Sequence, residues 1–342
     1  SNTSLLLDDL AAMTQADTLS ALVAIEPLAA MQGEEAGKVL IECLSHTETS
    51  VRRQATWKLA NRRPSADALP LLIVQLGVGG IDTMHAHQTL NHWAKTDPEL
   101  IIQSLSKALI THGDTLVRAR LVDLLGTLDG SSVTGLLTQL AADTQESVPV
   151  RLAAISAIGS RTGPFSRLLA QLKHQDNDIG AYATLAINDQ QTLQTVPLTD
   201  GCSGLRICQL VLAKVDNTLS SGGCGETGGV ASLLVSLGDA LARQPSVAQV
   251  LTIGLGSVDE AISSLSANNH IPQPYGIITA GDDIRPMNST NAWEHLPVLK
   301  RSIKRCLRNF GSVDVIHLRM LDAATFAAAD VANSLSIPIC FS

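Results

Sequence analysis

The chain has 342 residues, of which 45% are apolar, 16% charged and 3% aromatic. Its net charge of −8 excludes a broad nucleic-acid surface and argues against an anchor for anionic membranes, because both need clustered Lys and Arg. No apolar run reaches the roughly 20 residues of a membrane span, so we expect a cytoplasmic protein without a transmembrane segment. The six cysteines form no C-x-x-C pair, which favours free thiols over a disulfide framework or a zinc site.

An apolar helical pattern recurs in the first half of the chain with a period of 33 residues. Val-Arg pairs begin at residues 51, 117 and 150, and related stretches begin at 18, 84 and 179. Each unit predicts two Ala-rich helices joined by a polar turn. The pattern resembles HEAT repeats, which are helix pairs stacked into an α-solenoid, and we assign residues 1–195 to this domain. The resemblance implies a protein partner on the concave face of the repeats.

Three side-chain patterns accompany the repeats. A carboxylate precedes each register, and the repeated Arg near it predicts an ion-pair ladder between neighbouring units; these carboxylates are Glu48, Asp82, Asp114, Glu146 and Asp178. Trp57 and Trp93 lie 36 residues apart at nearly matching positions, which predicts that both pack in the core. His85 and His92 share one helix face while His87 points elsewhere, so helix-surface roles are favoured over a metal site.

The second half of the chain has a different pattern, in which short apolar runs alternate with helical stretches. Strands are predicted at 205–213, 247–255, 275–281, 313–319 and 337–342, and helices at 227–243, 293–309 and 322–335. Alternating strands and helices predict βαβ units in an α/β Rossmann-like domain with a parallel sheet. The expected second domain covers residues 203–342.

A glycine-rich stretch, "SSGGCGETGGVASLLVSLGDALA" at 220–242, follows the first predicted strand. It is either a flexible linker or a loop that lets a ligand approach the backbone. Its place before the first helix favours the ligand loop, because bare N–H groups and a helix N-terminus bind anions. It fits neither the P-loop nor the dinucleotide fingerprint, which weakens a third reading as a nicotinamide-dependent oxidoreductase.

This stretch and a later one resemble the N-terminal Rossmann-like domain of GT-B glycosyltransferases of family 4, the sucrose-phosphate-synthase-like type. The later stretch carries Trp293, Leu296 and Pro297, then "DVIH" at 314–317, Asp322 and Ala323, and Leu335, Ile337 and Pro338. The resemblance covers about residues 205–342. It implies a loop for the donor phosphate or the acceptor, formed by Gly223, Gly225, Glu226, Thr227, Gly228 and Gly229, and acceptor-side candidates His317, Arg319, Asp322 and Asp282.

Two positions depart from the family pattern. Arg319 stands where most members have a second His, and Val230 replaces a polar residue. An Arg at 319 would hold a phosphate or carboxylate through two hydrogen bonds. Asp282 and Asp283 either bind sugar hydroxyls or form a simple turn.

The resemblance implies part of a retaining glycosyltransferase that uses a nucleotide-diphosphate sugar as co-substrate, with an unknown acceptor and no metal or other cofactor. We expect the chain to be truncated before the sugar-nucleotide domain and inactive in this form. The alternative is a non-catalytic HEAT-repeat scaffold whose α/β domain is a degenerate interaction module. Lys300, Lys304 and Arg308 form a basic stripe that is either a solvated helix face or a contact for a phosphorylated acceptor or for the acidic repeats.

Overall fold

The computed structural model describes residues 2–194, 204–214, 228–266, 271–279, 287–288 and 290–342. The chain divides into two compact units, 1–133 and 134–342. The expected fold class is confirmed: HEAT-like helix pairs are followed by a Rossmann-like α/β domain with a parallel sheet. The boundary expected between residues 195 and 203 stays a prediction. No helix among the described residues is both long enough and apolar enough to cross a membrane.

The first unit contains helices α1 to α8, and α9 spans its boundary with the second. The helices at even positions in the chain begin at the repeat registers, and each packs beside the next in the series α2, α4 and α6. The bounds are α1 Asn2–Thr14, α2 Thr18–Ala30, α3 Glu34–Glu42, α4 Thr49–Leu59, α5 Leu69–Val78, α6 Gly80–Ala94, α7 Pro98–Thr111, α8 Thr115–Leu125 and α9 Ser131–Ala142.

Side chains of one repeat donate to backbone carbonyls that lie at or just beyond the end of a helix in the preceding repeat. After α4, Arg62 donates to the carbonyls of Met31 at 2.8 Å and of Gly33, just beyond α2. Trp93 Nε1 on α6 donates to the carbonyl of Leu59 at the end of α4, at 3.0 Å. Since the last carbonyls of a helix have no partner within it, these bonds satisfy groups that stacking would otherwise bury unpaired.

Arg53 and Asp82 form a bidentate rung of the expected ion-pair ladder. Arg53 Nε and Nη2 lie 3.0 and 2.7 Å from the two carboxylate oxygens of Asp82, a buried residue in the next repeat. The Arg of the Val-Arg pair acts differently, because Arg52 donates to the carbonyl of His46 at 2.7 Å within its own repeat. Asp114 caps its own helix, accepting from the backbone N–H of Leu116 at 2.8 Å. Repeated charges therefore serve mainly backbone groups.

The second unit contains three further repeat helices and the α/β domain. The helices are α10 Val148–Gly159, α11 Ser166–Lys173, α12 Asp178–Gln194, α13 Gly228–Ala242, α14 Val258–Ser266, α15 Leu296–Phe310 and α16 Ala323–Leu335. The strands are β1 Leu205–Lys214, β2 Val247–Gly256, β3 Tyr275–Thr279, β4 Val315–Leu318 and β5 Ile339–Phe341. They pair in parallel in the order β3-β2-β1-β4-β5, which is the doubly wound arrangement. All five expected strands are confirmed.

The last repeat helix, α12, packs against the β3 side of the sheet. Leu185 of α12 forms an apolar cluster with Ala261 of α14 and Ile277 of β3. The amides of Asn188 and Asn309 exchange two hydrogen bonds, at 3.1 and 2.9 Å. Because β3 is an edge strand, this packing protects one edge of the sheet from pairing with another chain.

Candidate functional site

Unit 1 exposes a tryptophan on the surface formed by its even-numbered helices. Trp57 on α4 is 52% exposed, whereas Trp93 on α6 is completely buried. The prediction of a core position is therefore confirmed for Trp93 and wrong for Trp57. The two residues are 36 residues apart rather than 33. Three extra residues turn a helical position by about 300°, so the side chain points about 60° away from its original direction. That rotation moves Trp57 from the core to the surface.

Neighbouring contacts hold Trp57 in place. Lys58 Nζ lies 4.7 Å from the centroid of the Trp57 ring and forms a 2.5 Å ion pair with Glu26 on α2. One turn before Glu26, Val23 is 56% exposed, and Leu19 is exposed one turn earlier still. Trp is among the residue types enriched in protein-binding hot spots, and the exposed aliphatic side chains of the neighbouring helix add apolar surface. We call the surface defined by Leu19, Val23, Trp57, His85 and His92 the α2–α4–α6 face.

The three histidines of α6 differ in exposure, and the expected helix-surface position is wrong for His87. His87 is buried, whereas His92 is exposed and His85 is half-buried on the α2–α4–α6 face. Burial lowers the pKa of His85, with Asp82 opposing the shift and Arg53 adding to it. Among the described residues, no group of three or more His, Cys, Asp or Glu side chains is arranged to hold a metal ion.

In unit 2, two predicted site residues lie where β4 ends. The strand order reverses between β1 and β4, and ligands of doubly wound sheets bind beyond the carboxyl ends of the strands at such a point. His317 is on β4, where its Nε2 lies 2.8 Å from Ser342 Oγ. Burial lowers the pKa of His317, and the adjacent Arg319 cation lowers it further. Arg319 directly follows the strand and is partly exposed.

Asp322 has a local structural role. It is the N-cap of α16, where its Oδ1 accepts from the backbone N–H of Thr325 at 2.8 Å. Leu321, the residue before it, is 89% exposed. Asp322 and Ala323, which belong to the stretch that resembles the glycosyltransferase family, therefore mark the start of α16. The acceptor-side role expected for Asp322 stays a prediction.

Most of the glycine-rich loop lies outside the described residues. Gly228 and Gly229 are the first two residues of α13, directly after that segment. The positions outside the described residues are Gly223, Gly225, Glu226, Thr227 and Asp282. The site predicted there stays a prediction.

Sequence reasoning missed helix α14 and the buried contacts of α12. A local signal existed for α14: Ser257 and Glu260 are spaced as a capping box. The backbone N–H of Ser257 donates to Glu260 Oε2 at 2.7 Å, and that of Glu260 donates to Ser257 Oγ at 3.1 Å. No comparable local signal exists for the pairing of Asp189 with Arg305, which are far apart in the chain.

Comparison with known families agrees with the repeats. Residues 102–188 match the family model of HEAT repeats. These residues include the whole of α8, α9, α10 and α11, and most of α7 and α12. No curated protein matches the chain. The match supports the repeat architecture and, through it, a role in protein interaction.

Proposed function

We propose that this protein is an interaction scaffold that binds a partner protein on the α2–α4–α6 face. The exposed Trp57 is the observation that carries the proposal. Leaving a tryptophan half exposed forgoes the free energy of burying a large apolar side chain, and aromatic anchors dominate the affinity of protein interfaces. Stacked repeats supply the extended surface on which such an anchor acts.

The charges near Trp57 fit an interface that combines apolar and charged contacts. Arg53 is partly exposed beside Trp57 and is held by the buried carboxylate of Asp82. A fixed guanidinium next to an aromatic ring offers a partner one charged contact and one apolar contact at low entropic cost. The partner implied is a protein segment that presents an apolar side chain to Trp57 and a carboxylate to Arg53.

Affinity capture from source cells tests this proposal. Wild-type protein is compared with Trp57→Ala and with Ile110→Ala, since Ile110 is 82% exposed on α7 and provides a matched apolar truncation. We expect at least one protein to be retained by the wild type and by Ile110→Ala and lost with Trp57→Ala. Equal capture by all three proteins would refute the role of this face.

A second function is supported by the topology of unit 2. We propose, as the second candidate, that the α/β domain is the acceptor-side domain of a retaining glycosyltransferase that uses a nucleotide sugar. Three observations support it: the strand order, the position of His317 and Arg319 at the carboxyl end of β4, and the start of α13 at Gly228. The predicted glycine-rich loop would contact the donor phosphate, and an acceptor would approach Arg319.

Turnover assays distinguish the two candidates. The longest product of the gene is incubated with a panel of nucleotide-diphosphate sugars, and release of the nucleoside diphosphate is measured. The transferase proposal predicts release that falls with Arg319→Gln and is unchanged by Arg243→Gln, a substitution at an exposed position after α13. Absence of both release and sugar-nucleotide binding would eliminate this candidate and leave the scaffold.

A further inference from the structure

The outer side of α15 carries three cations at successive turns of the helix. Lys300, Lys304 and Arg308 are all partly buried, and their spacing of four residues places successive positions about 6 Å apart along the axis. Lys300 forms an ion pair with Asp330 on α16. Within the described part of the chain, Lys304 and Arg308 have no hydrogen bond or ion pair.

This arrangement is electrostatically unfavourable. Burial lowers the pKa of Lys304, and the neighbouring Arg308 and Lys300 cations lower it further, while Asp330 opposes the shift. Burial also lowers the pKa of Arg308, which Asp189 on α12 opposes. The chain has 32 acidic residues for 24 Lys and Arg, and yet, among the residues that the structure describes, only Asp330 pairs with this stripe. Two partly desolvated cations without a partner attract an anion.

The length of the stripe limits the kind of anion. The three positions span about 12 Å, which is too far for the oxygens of a single phosphate group to contact all of them. Carboxylates one helical turn apart match the spacing, because they recur at the same interval as the cations. Lipid surfaces are recognised by clusters of about four to eight cations, which is more than this stripe contains.

From this geometry we infer that Lys300, Lys304 and Arg308 form a docking surface for an acidic segment of a partner protein, in which Asp or Glu side chains recur at each helical turn. Complementary charge fixes the register of the segment along α15 and raises its association rate. This surface is on unit 2 and does not depend on the α2–α4–α6 face.

Fluorescence anisotropy tests the inference with a labelled helical peptide that carries Glu at every fourth position. The same peptide with Gln at those positions is the matched control ligand. We expect the Glu peptide to bind, its affinity to fall as salt rises, and the Gln peptide not to bind. Inorganic phosphate and phosphatidylserine vesicles are tested in parallel, to distinguish a peptide site from a phosphate or lipid site.

Protein variants locate the binding. Lys304→Gln with Arg308→Gln removes the two unpaired cations and keeps the Lys300–Asp330 pair. Arg167→Gln with Lys173→Gln removes the same charge from exposed positions of α11 in the same unit. We expect the first pair to weaken the Glu peptide at least tenfold, which is about 1.4 kcal/mol, and the second pair to change it less than about twofold.

Three results would overturn the inference. One is a Glu peptide that does not bind, or that binds no better than the Gln peptide. Another is equal weakening of Glu-peptide binding by both pairs of substitutions, which would indicate that the peptide responds only to the overall charge of the protein. The third is vesicle or phosphate binding that depends on Lys304 and Arg308 while the Glu peptide shows no such dependence. Circular dichroism of each variant confirms that it is folded, and failure of the α2–α4–α6 face to bind a partner would leave these results unaffected.

Discussion

Asp189 on α12 and Arg305 on α15 form a buried bidentate ion pair across 116 residues of the chain. Arg305 Nε and Nη2 each lie 2.7 Å from a different carboxylate oxygen of Asp189, and both side chains are almost inaccessible to solvent. The pair joins the last repeat helix to the α/β domain. Helix α12 is thus tied to the α/β domain within unit 2.

Removing one partner of this pair is expected to be costly. Asp189→Leu leaves the Arg305 cation buried without its carboxylate, and such changes cost about 3–5 kcal/mol of the free energy of unfolding. The double variant Asp189→Leu with Arg305→Met is expected to lose less than the sum of the single variants. Urea unfolding, together with hydrogen exchange over α12 and α15, measures the loss of unfolding free energy in each variant. Strict additivity, or a loss below about 1 kcal/mol in each single variant, would contradict the coupling.

The two tryptophans of unit 1 form a matched comparison. Trp93→Ala removes a fully buried ring and the hydrogen bond to Leu59, and we expect a loss of about 3–5 kcal/mol in unfolding free energy. Trp57→Ala alters an exposed side chain, and we expect a change within about 0.5 kcal/mol. Chemical denaturation of both variants checks this. A loss of similar size in both would mean that Trp57 serves stability rather than binding.

The adjacent residues Arg62 and Arg63 allow a test of the hydrogen bonds between repeats. Arg62→Met removes the donors to the carbonyls of Met31 and Gly33, which we expect to cost about 1.5 kcal/mol of unfolding free energy because the donor is charged. Arg63→Met changes an exposed neighbour and is the control, with an expected cost near zero. Thermal unfolding of the two variants compares them directly. An equal shift in melting temperature would show that these bonds add nothing to stability.

Acid is expected to destabilise unit 1 through His85. Its pKa is lowered in the folded state, so below the ordinary value of 6.5 the unfolded chain binds more protons than the folded one. Unfolding free energy therefore falls as pH decreases through 6.5 towards the folded pKa. His85→Gln removes this part of the pH dependence, and His92→Gln, at an exposed position of the same helix, is the control. Identical pH profiles for wild type and His85→Gln would contradict the assignment.

In unit 2, His317 is expected to titrate below its ordinary pKa as well. Burial and the Arg319 cation both favour its neutral form. Arg319→Gln removes the second cause, so NMR titration of the imidazole should show a higher pKa in that variant than in the wild type. A pKa that is unchanged by the substitution would show that Arg319 does not act on His317, and would weaken the case for a shared site.

Local periodicity predicted most of the fold, because each element carries its own signal. The Val-Arg register located the even-numbered helices, and apolar runs located all five strands. The fold class followed from their alternation. Helix α14 was missed, although the capping box of Ser257 and Glu260 marks its start.

The candidate sites were harder to predict. The exposure of Trp57 depends on a rotation of about 60° about a helix axis, which a repeat alignment with a three-residue offset does not resolve. The Asp189–Arg305 pair depends on tertiary packing between distant segments, so neither residue is distinguished by its neighbours in sequence. Arg319 and His317 were identified only through a resemblance, whereas the position of the end of β4 beside the reversal of strand order follows from the topology.

The most direct test of the scaffold proposal is the affinity of a captured, purified partner for wild-type protein, Trp57→Ala and Ile110→Ala, measured by titration calorimetry. A hot-spot tryptophan contributes at least about 2 kcal/mol, so we predict that Trp57→Ala raises Kd about 30-fold or more. Ile110→Ala should leave Kd within about twofold of wild type. A Kd that is equal for wild type and Trp57→Ala would contradict the proposal that this protein binds its partner through the α2–α4–α6 face.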